Sequence, residues 1–178
     1  NDDFVSADYP LKYLIGSGRH SRTYIAQSRE FLVESPITWY ASLNAWAMSP
    51  GYDAADHEAF HRVVGFDCLY CHAGNLEAYP RSIERVTIHE LAIGCERCHG
   101  PGELHVRHRT EQDSGDPRGG QTDFTIVNPA RLSRELREAV CQQCHLESVV
   151  RVAGRGRSRG EFRPGLPWDA FYVNYSFQ

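Results

Sequence analysis

Six cysteines fall in three like arrangements, Cys68-Leu69-Tyr70-Cys71-His72, Cys95-Glu96-Arg97-Cys98-His99 and Cys141-Gln142-Gln143-Cys144-His145, and none is left over. Two thiols three apart with histidine next form the attachment pattern of c-type haem. The thiols add across the vinyl groups of one porphyrin, and the imidazole is then held under the iron as proximal ligand. A zinc site would want C-x-x-C pairs in twos, and here there are three, each followed by histidine. Histidine is 9 of 178 residues. Three chance occurrences after C-x-x-C therefore come to roughly one in ten thousand, which decides against a zinc or disulfide framework. The sequence thus predicts three covalently attached haem c groups. They are held by Cys68, Cys71, Cys95, Cys98, Cys141 and Cys144, with His72, His99 and His145 as iron ligands.

Each iron also needs or tolerates a second axial ligand. Gly100-Pro101-Gly102 ends the helix or turn of the second motif, so that His105 is close in sequence yet directed elsewhere, free to ligate a different iron. His20, His57, His61, His89 and His108 are the other candidates, and the residues alone leave the choice open. His57 and His61 stand four apart, on one face if the segment is helical, but need not serve the same iron. Met48 is the only methionine, so His/Met ligation cannot be the general rule.

The elements that position these residues are expected to be modest. An apolar fraction of 41% is slightly low for this length, and 15 Gly and 9 Pro favour loops. Three porphyrins would supply the missing core. The fold class expected is a multihaem cytochrome c: loop-rich, with short α-helices around three haems and a small β-hairpin region near the N-terminus. Residues 1–10 read as an arm, 11–150 as the trihaem domain, and 151–178 as an Arg/Gly-rich stretch with an aromatic tail. Short β-prone runs lie between Tyr13 and Tyr40, divided by Gly16-Ser17-Gly18 and Pro36. Residues 44–52 read as an aromatic-rich turn, Asp53–Val64 as helical, and Glu111–Gln121 as a surface loop. Leu132, Leu136 and Val140 predict a helix from about Ala130 to Cys144.

The formal charge is −4, and three haems would add roughly six propionate charges. Arginine outnumbers lysine eighteen to one, and guanidinium pairs bidentately with carboxylate or phosphate. Arg151, Arg155, Arg157, Arg159 and Arg163 alternate with glycines, a pattern that suits either haem propionates or an external polyanion such as RNA. Trp168, Phe171, Tyr172, Tyr175 and Phe177 form a tail expected to pack on the domain or on a partner subunit. No run approaches the ~20 apolar residues of a membrane span. Covalent haem c is assembled outside the cytoplasmic membrane, so a periplasmic or extracellular location is expected, and a chain starting at Asn1 is expected to be a processed product. A phosphate-binding glycine loop, a nucleophile elbow and a defensible catalytic carboxylate pair are all absent from the sequence.

With the motifs placed, the chain resembles a bacterial family of multihaem cytochromes c whose haem domain is often fused to tetratricopeptide repeats. The matching blocks are Gly16-Ser17-Gly18-Arg19-His20-Ser21-Arg22-Thr23-Tyr24, Trp46-Ala47-Met48-Ser49-Pro50-Gly51-Tyr52-Asp53, Cys95 to His105, Ile126-Val127-Asn128-Pro129-Ala130-Arg131-Leu132 running to Cys144-His145, and Phe162-Arg163-Pro164-Gly165-Leu166-Pro167. The family usually carries a further C-x-x-C-H upstream and often continues into helical repeats, and this chain shows neither. The resemblance implies His20, His57 and His105 as the distal ligands; His61 and His89 are the next candidates among the remaining histidines.

The function expected is electron transfer through three closely packed, bis-histidine, low-spin haems with redox proteins as partners. Two alternatives differ in class. One is a multihaem oxidoreductase with one open iron. The other is a filament or scaffold that self-assembles, or binds a polyanion such as RNA through its Arg/Gly stretch.

Overall fold

The computed structural model describes residues 8–112, 122–146, 148, 150–158 and 160–176. The chain forms two units, one to Leu91 and one from Ala92 onward.

The first unit is built on an antiparallel sheet in the order β1 (Leu11–Ile15), β2 (Ser21–Ser28), β3 (Phe31–Tyr40) and β4 (Ala45–Met48). It is larger than the hairpin region expected, because two sequence signals read as breaks are absorbed. Pro36 sits inside β3: Thr23 pairs with Thr38 but Ile25 pairs with Glu34, so β3 bulges and no ladder bond is asked of the proline nitrogen. The aromatic segment after Asn44 is a strand, with Trp46 opposite Trp39. The Gly16-Ser17-Gly18 turn links β1 and β2. Gly16 has φ +106°, and a Cβ there would lie 2.6 Å from the Ser21 carbonyl oxygen.

Behind the sheet, Ile25 and Leu32 form a core with Val64 and Leu69. A directed hydroxyl relay is buried beside it. Ser49 Oγ donates to Ser35 O at 2.8 Å and so must accept from Thr38 Oγ1 at 2.8 Å, which in turn accepts from Thr23 Oγ1 at 2.9 Å.

Asp53–Val64 is not a helix. Only Ala59–His61 makes a single 3-10 turn, and Arg62 is extended. The chain there is captured by β3 instead: Glu34 N donates to Arg62 O and Val64 N to Leu32 O, at 2.9 and 2.8 Å. The one-face relation expected of His57 and His61 is lost with the helix. After it come α1 (Phe66–Tyr70) and the hairpin β5 (Asn75–Ala78) to β6 (Val86–Glu90).

The second unit opens with α2 (Glu96–His99) and α3 (Glu103–Gln112), joined by Gly100-Pro101-Gly102. After a 3-10 turn at Pro129–Arg131 comes α4 (Arg134–His145). The sequence pattern placed its start about four residues early. Pro129 and the Asn128 cap form the 3-10 turn, and Ser133 Oγ, accepting from Leu136 N, begins the helix proper. A last hairpin pairs β7 (Val150–Ala153) with β8 (Tyr172–Tyr175). The core of this unit is aromatic: Phe162, Trp168, Phe171 and Tyr172 pack around Ala139 of α4. Arg159 and Phe177, residues 1–7 of the expected arm, and most of the expected 111–121 loop lie outside the described residues.

Candidate haem sites

The second motif lies on the short helix α2. His99 N donates to Cys95 O and Gly100 N to Glu96 O, both at 2.9 Å, and Gly100 then leaves the helix at φ +74°. Both thiols, Cys95 and Cys98, are exposed and free. The His99 ring is fixed. Its Nδ1 lies 2.8 Å from Val127 O, while Val127 N donates back to His99 O at 3.1 Å. A carbonyl can only accept, so Nδ1 carries the hydrogen, and in the neutral ring Nε2 is left as a lone pair. This is the tautomer an iron-ligating histidine requires.

A cavity of about 970 Å³ opens beside it, within the size range of cofactor sites. Cys95, His99 and His105 line it, Val106, Ile126 and Val127 give it an apolar wall, and Arg107, Arg109 and Arg131 bring guanidinium groups. Val106 is 61% exposed and nearby Phe124 is 90% exposed. Large apolar side chains left this open fit a porphyrin face, and the arginines fit its propionates. These residues therefore fit a haem held through Cys95, Cys98 and His99.

His105 stands on α3. Its Nδ1 donates to Asp123 Oδ2 at 2.8 Å, because an ionised carboxylate only accepts. In the neutral ring its Nε2 is thereby also a lone pair. The two Thr125 hydrogen bonds, from backbone and side chain, and then the bond from His105 hold the Asp123 carboxyl well below the usual carboxylate range. The sequence reading missed Asp123. The available signal was its place two residues before Thr125, an Asx-turn spacing.

The third motif closes α4. Cys141 is exposed, Cys144 half-buried and His145 exposed. Gln143 between the two cysteines is buried, and its amide donates to Arg97 O and to Val140 O, each at 2.8 Å. The first motif straddles the end of α1, where Leu69 and Tyr70 are buried and Cys68 and His72 reach solvent. Protein packed around Cys68 raises its thiol pKa, against the pull of Arg62.

The remaining histidines differ in what they offer. His20 is exposed at the end of the first sheet, where its carbonyl accepts from Ala41 N. His57 packs edge-on against Tyr52 at 5.4 Å, and its Nδ1 accepts from Ala59 N at 3.1 Å. Its proton, when neutral, is therefore on Nε2, the opposite tautomer to His99 and His105. His61 is exposed in the 3-10 turn. His89 Nε2 faces Glu77 Oε2 at 3.2 Å across the β5–β6 hairpin. His108 Nδ1 stands 3.8 Å from Asp123. Met48 lies on β4.

Part of the arginine stretch is engaged within its own unit. Arg151 donates to the carbonyls of Gln143, Gln142 and Leu146 at 2.9, 3.4 and 3.4 Å, and stacks 4.8 Å over Trp168. Arg157 lies 4.6 Å over Phe171, and Arg163 Nη1 donates to Phe162 O at 3.5 Å. Arg155 is exposed. No helix among the described residues is long and apolar enough to cross a membrane.

The comparisons with known proteins agree with this chemistry. Residues 40–100 match the family model described as cytochrome c554 and c-prime. That range contains the first two C-x-x-C-H motifs. The fold is similar to the crystal structure of the outer cell wall cytochrome OcwA, with a TM-score of 0.52 at 18% identity over 87% of this chain. The chain spans 31% of that cytochrome's length. No curated protein matches. The fold is similar to that of this cytochrome, and the match to the cytochrome family model is confined to residues 40–100.

Proposed function

We propose that this chain is an electron carrier that holds three haem c groups, with the Cys68, Cys95 and Cys141 motifs as attachment sites and His72, His99 and His145 as proximal ligands. His20, His57 and His105 are proposed as the opposite axial ligands. A haem iron supplies reversible one-electron chemistry between its ferric and ferrous states. The chain's part is to hold, orient and space the three groups.

The observation that carries this reading is the hydrogen bond from Gln143 to Arg97 O. It ties the interior of the third motif to the interior of the second. Two attachment sites in direct contact suit stepwise transfer between neighbouring haems, and no substrate pocket is needed for that task. The name of OcwA and the assembly of haem c outside the cytoplasmic membrane support an envelope or extracellular location, with redox proteins as partners.

The haem number is tested by intact mass of the denatured holoprotein. Three haem additions are expected, and replacing either cysteine pair 68/71, 95/98 or 141/144 by alanine should remove one. Two additions in the unaltered chain would overturn the trihaem reading.

The oxidoreductase alternative is favoured by one observation, the His57 tautomer. With Nδ1 accepting from Ala59 N, the ring binds iron through Nε2 only after its proton moves. If His57 keeps that bond, one iron stays open, and reduced protein should bind one carbon monoxide per chain. No binding would exclude this alternative.

A further inference from the structure

Two imidazoles line the same cavity with the same tautomer, but their Nδ1 hydrogens meet acceptors of different charge. His99 donates to a neutral carbonyl, Val127 O. His105 donates to a carboxylate, Asp123 Oδ2. That carboxylate is only 8% exposed and is held from several directions. Oδ1 accepts from the backbone and hydroxyl of Thr125. Oδ2 accepts from His105 at 2.8 Å and lies 3.2 Å from Arg109 Nε. His105 and Arg109 both come from α3, whereas Asp123 and Thr125 come from the segment that leads to Val127. The orientation of the carboxylate is therefore set before His105 uses it.

We propose that Asp123 is a positioning residue for His105, fixing its Nε2 as the iron-binding lone pair and, by its charge, holding down the reduction potential of the haem that His105 ligates. The inference rests on the reading of His105 as an iron ligand. The physical ground is general. A hydrogen bond from the far ring nitrogen to a carboxylate makes the imidazole a more basic ligand, and a more electron-rich ligand favours the ferric state. The same bond to a neutral carbonyl, as at His99, does this less. Arg109 bounds the effect. Its guanidinium draws charge from the same Oδ2, so Asp123 and Arg109 act on one potential in opposite directions.

The test uses the three-haem holoprotein with potentiometric titration of its visible spectrum. In Asp123→Asn the side-chain carbonyl can still accept from His105 but carries no charge. The haem count and low-spin signature are expected to hold, while one of three midpoint potentials shifts upward. Asp123→Glu keeps the charge and should restore most of the shift. In Arg109→Gln, a change at a half-exposed side chain that stands even if Asp123→Asn fails to assemble, the same potential is expected to shift downward. Opposite shifts are not produced by a merely structural role. Unmoved potentials in both Asp123→Asn and Arg109→Gln, or in Arg109→Gln alone where Asp123→Asn does not assemble, overturn the proposal. His105→Ala separates this from failure of the underlying reading. A new high-spin signal near one haem in three shows that His105 ligates, and its absence shows that the ligand assignment is wrong.

Discussion

The side-chain amide of Gln143 reaches the main-chain carbonyl of Arg97 at 2.8 Å, joining the variable positions of two C-x-x-C-H motifs 46 residues apart. The amide is buried and also bonds Val140 O on its own helix. A glutamine inside a C-x-x-C-H motif is thus part of how two motifs are held together. In Gln143→Leu the Arg97 carbonyl loses this donor, which should cost about 1–3 kcal/mol. Denaturant unfolding checks the loss. A variant as stable as the parent would mean that the contact contributes nothing to joining the motifs.

His99 and His89 make a matched pair for a ligand test. His99 Nε2 is a lone pair because Val127 O takes the Nδ1 hydrogen, whereas His89 Nε2 is occupied by Glu77 at 3.2 Å. His99→Ala is expected to convert one haem to high spin and to shift its visible bands. His89→Ala should leave the oxidised and reduced spectra unchanged. Spectral loss in His89→Ala would place an iron on the β5–β6 hairpin instead.

Arg151 and Arg155 separate the internal from the external use of the arginine stretch. Arg151 satisfies carbonyls at the end of α4, where a helix leaves acceptors open and a cation is favoured. Arg151→Ala should cost about 2 kcal/mol in thermal or denaturant unfolding, from lost charged hydrogen bonds and stacking on Trp168. Arg155→Ala should leave stability within about 0.5 kcal/mol. Equal losses would mean that Arg155 is also built into the unit. Salt-sensitive retention of an RNA homopolymer by the parent, lost in Arg155→Ala, would favour the polyanion alternative.

Tyr52 gives the first unit an alkaline limit. Its hydroxyl donates to Glu34 O at 3.3 Å, and burial, with Glu34 adding to it against Arg62, pushes its pKa up to about 12. The folded chain then keeps a proton that the unfolded chain gives up from about pH 10. With more protons bound in the native state, stability falls as pH rises from about 10 to about 12. The loss is on the order of 2 kcal/mol. Tyr52→Phe removes this slope, so parent and variant should diverge at neutral pH and converge on raising the pH. Parallel pH–stability curves would contradict the assignment.

What was legible in the sequence follows from which features are local. The thiol and imidazole pattern is local chemistry, and so are the β-prone runs of β1 to β3 and the apolar spacing of α4. Asp53–Val64 reads as helical by composition, but its backbone bonds to β3, which spacing within the segment does not reveal. Pro36 reads as a break because the bulge that accommodates it depends on the partner strand. The roles of Asp123 and Gln143 were hidden for the same reason. Their partners lie 18 and 46 residues away, and a residue between two motif cysteines carries no signal of its own.

The most direct test of the trihaem, bis-histidine account is electron paramagnetic resonance of the oxidised protein, with haem counted in the same sample. The account predicts three haems per chain, all low-spin, with no high-spin signal. A high-spin signal near one-third of the haem would contradict it and identify an open iron.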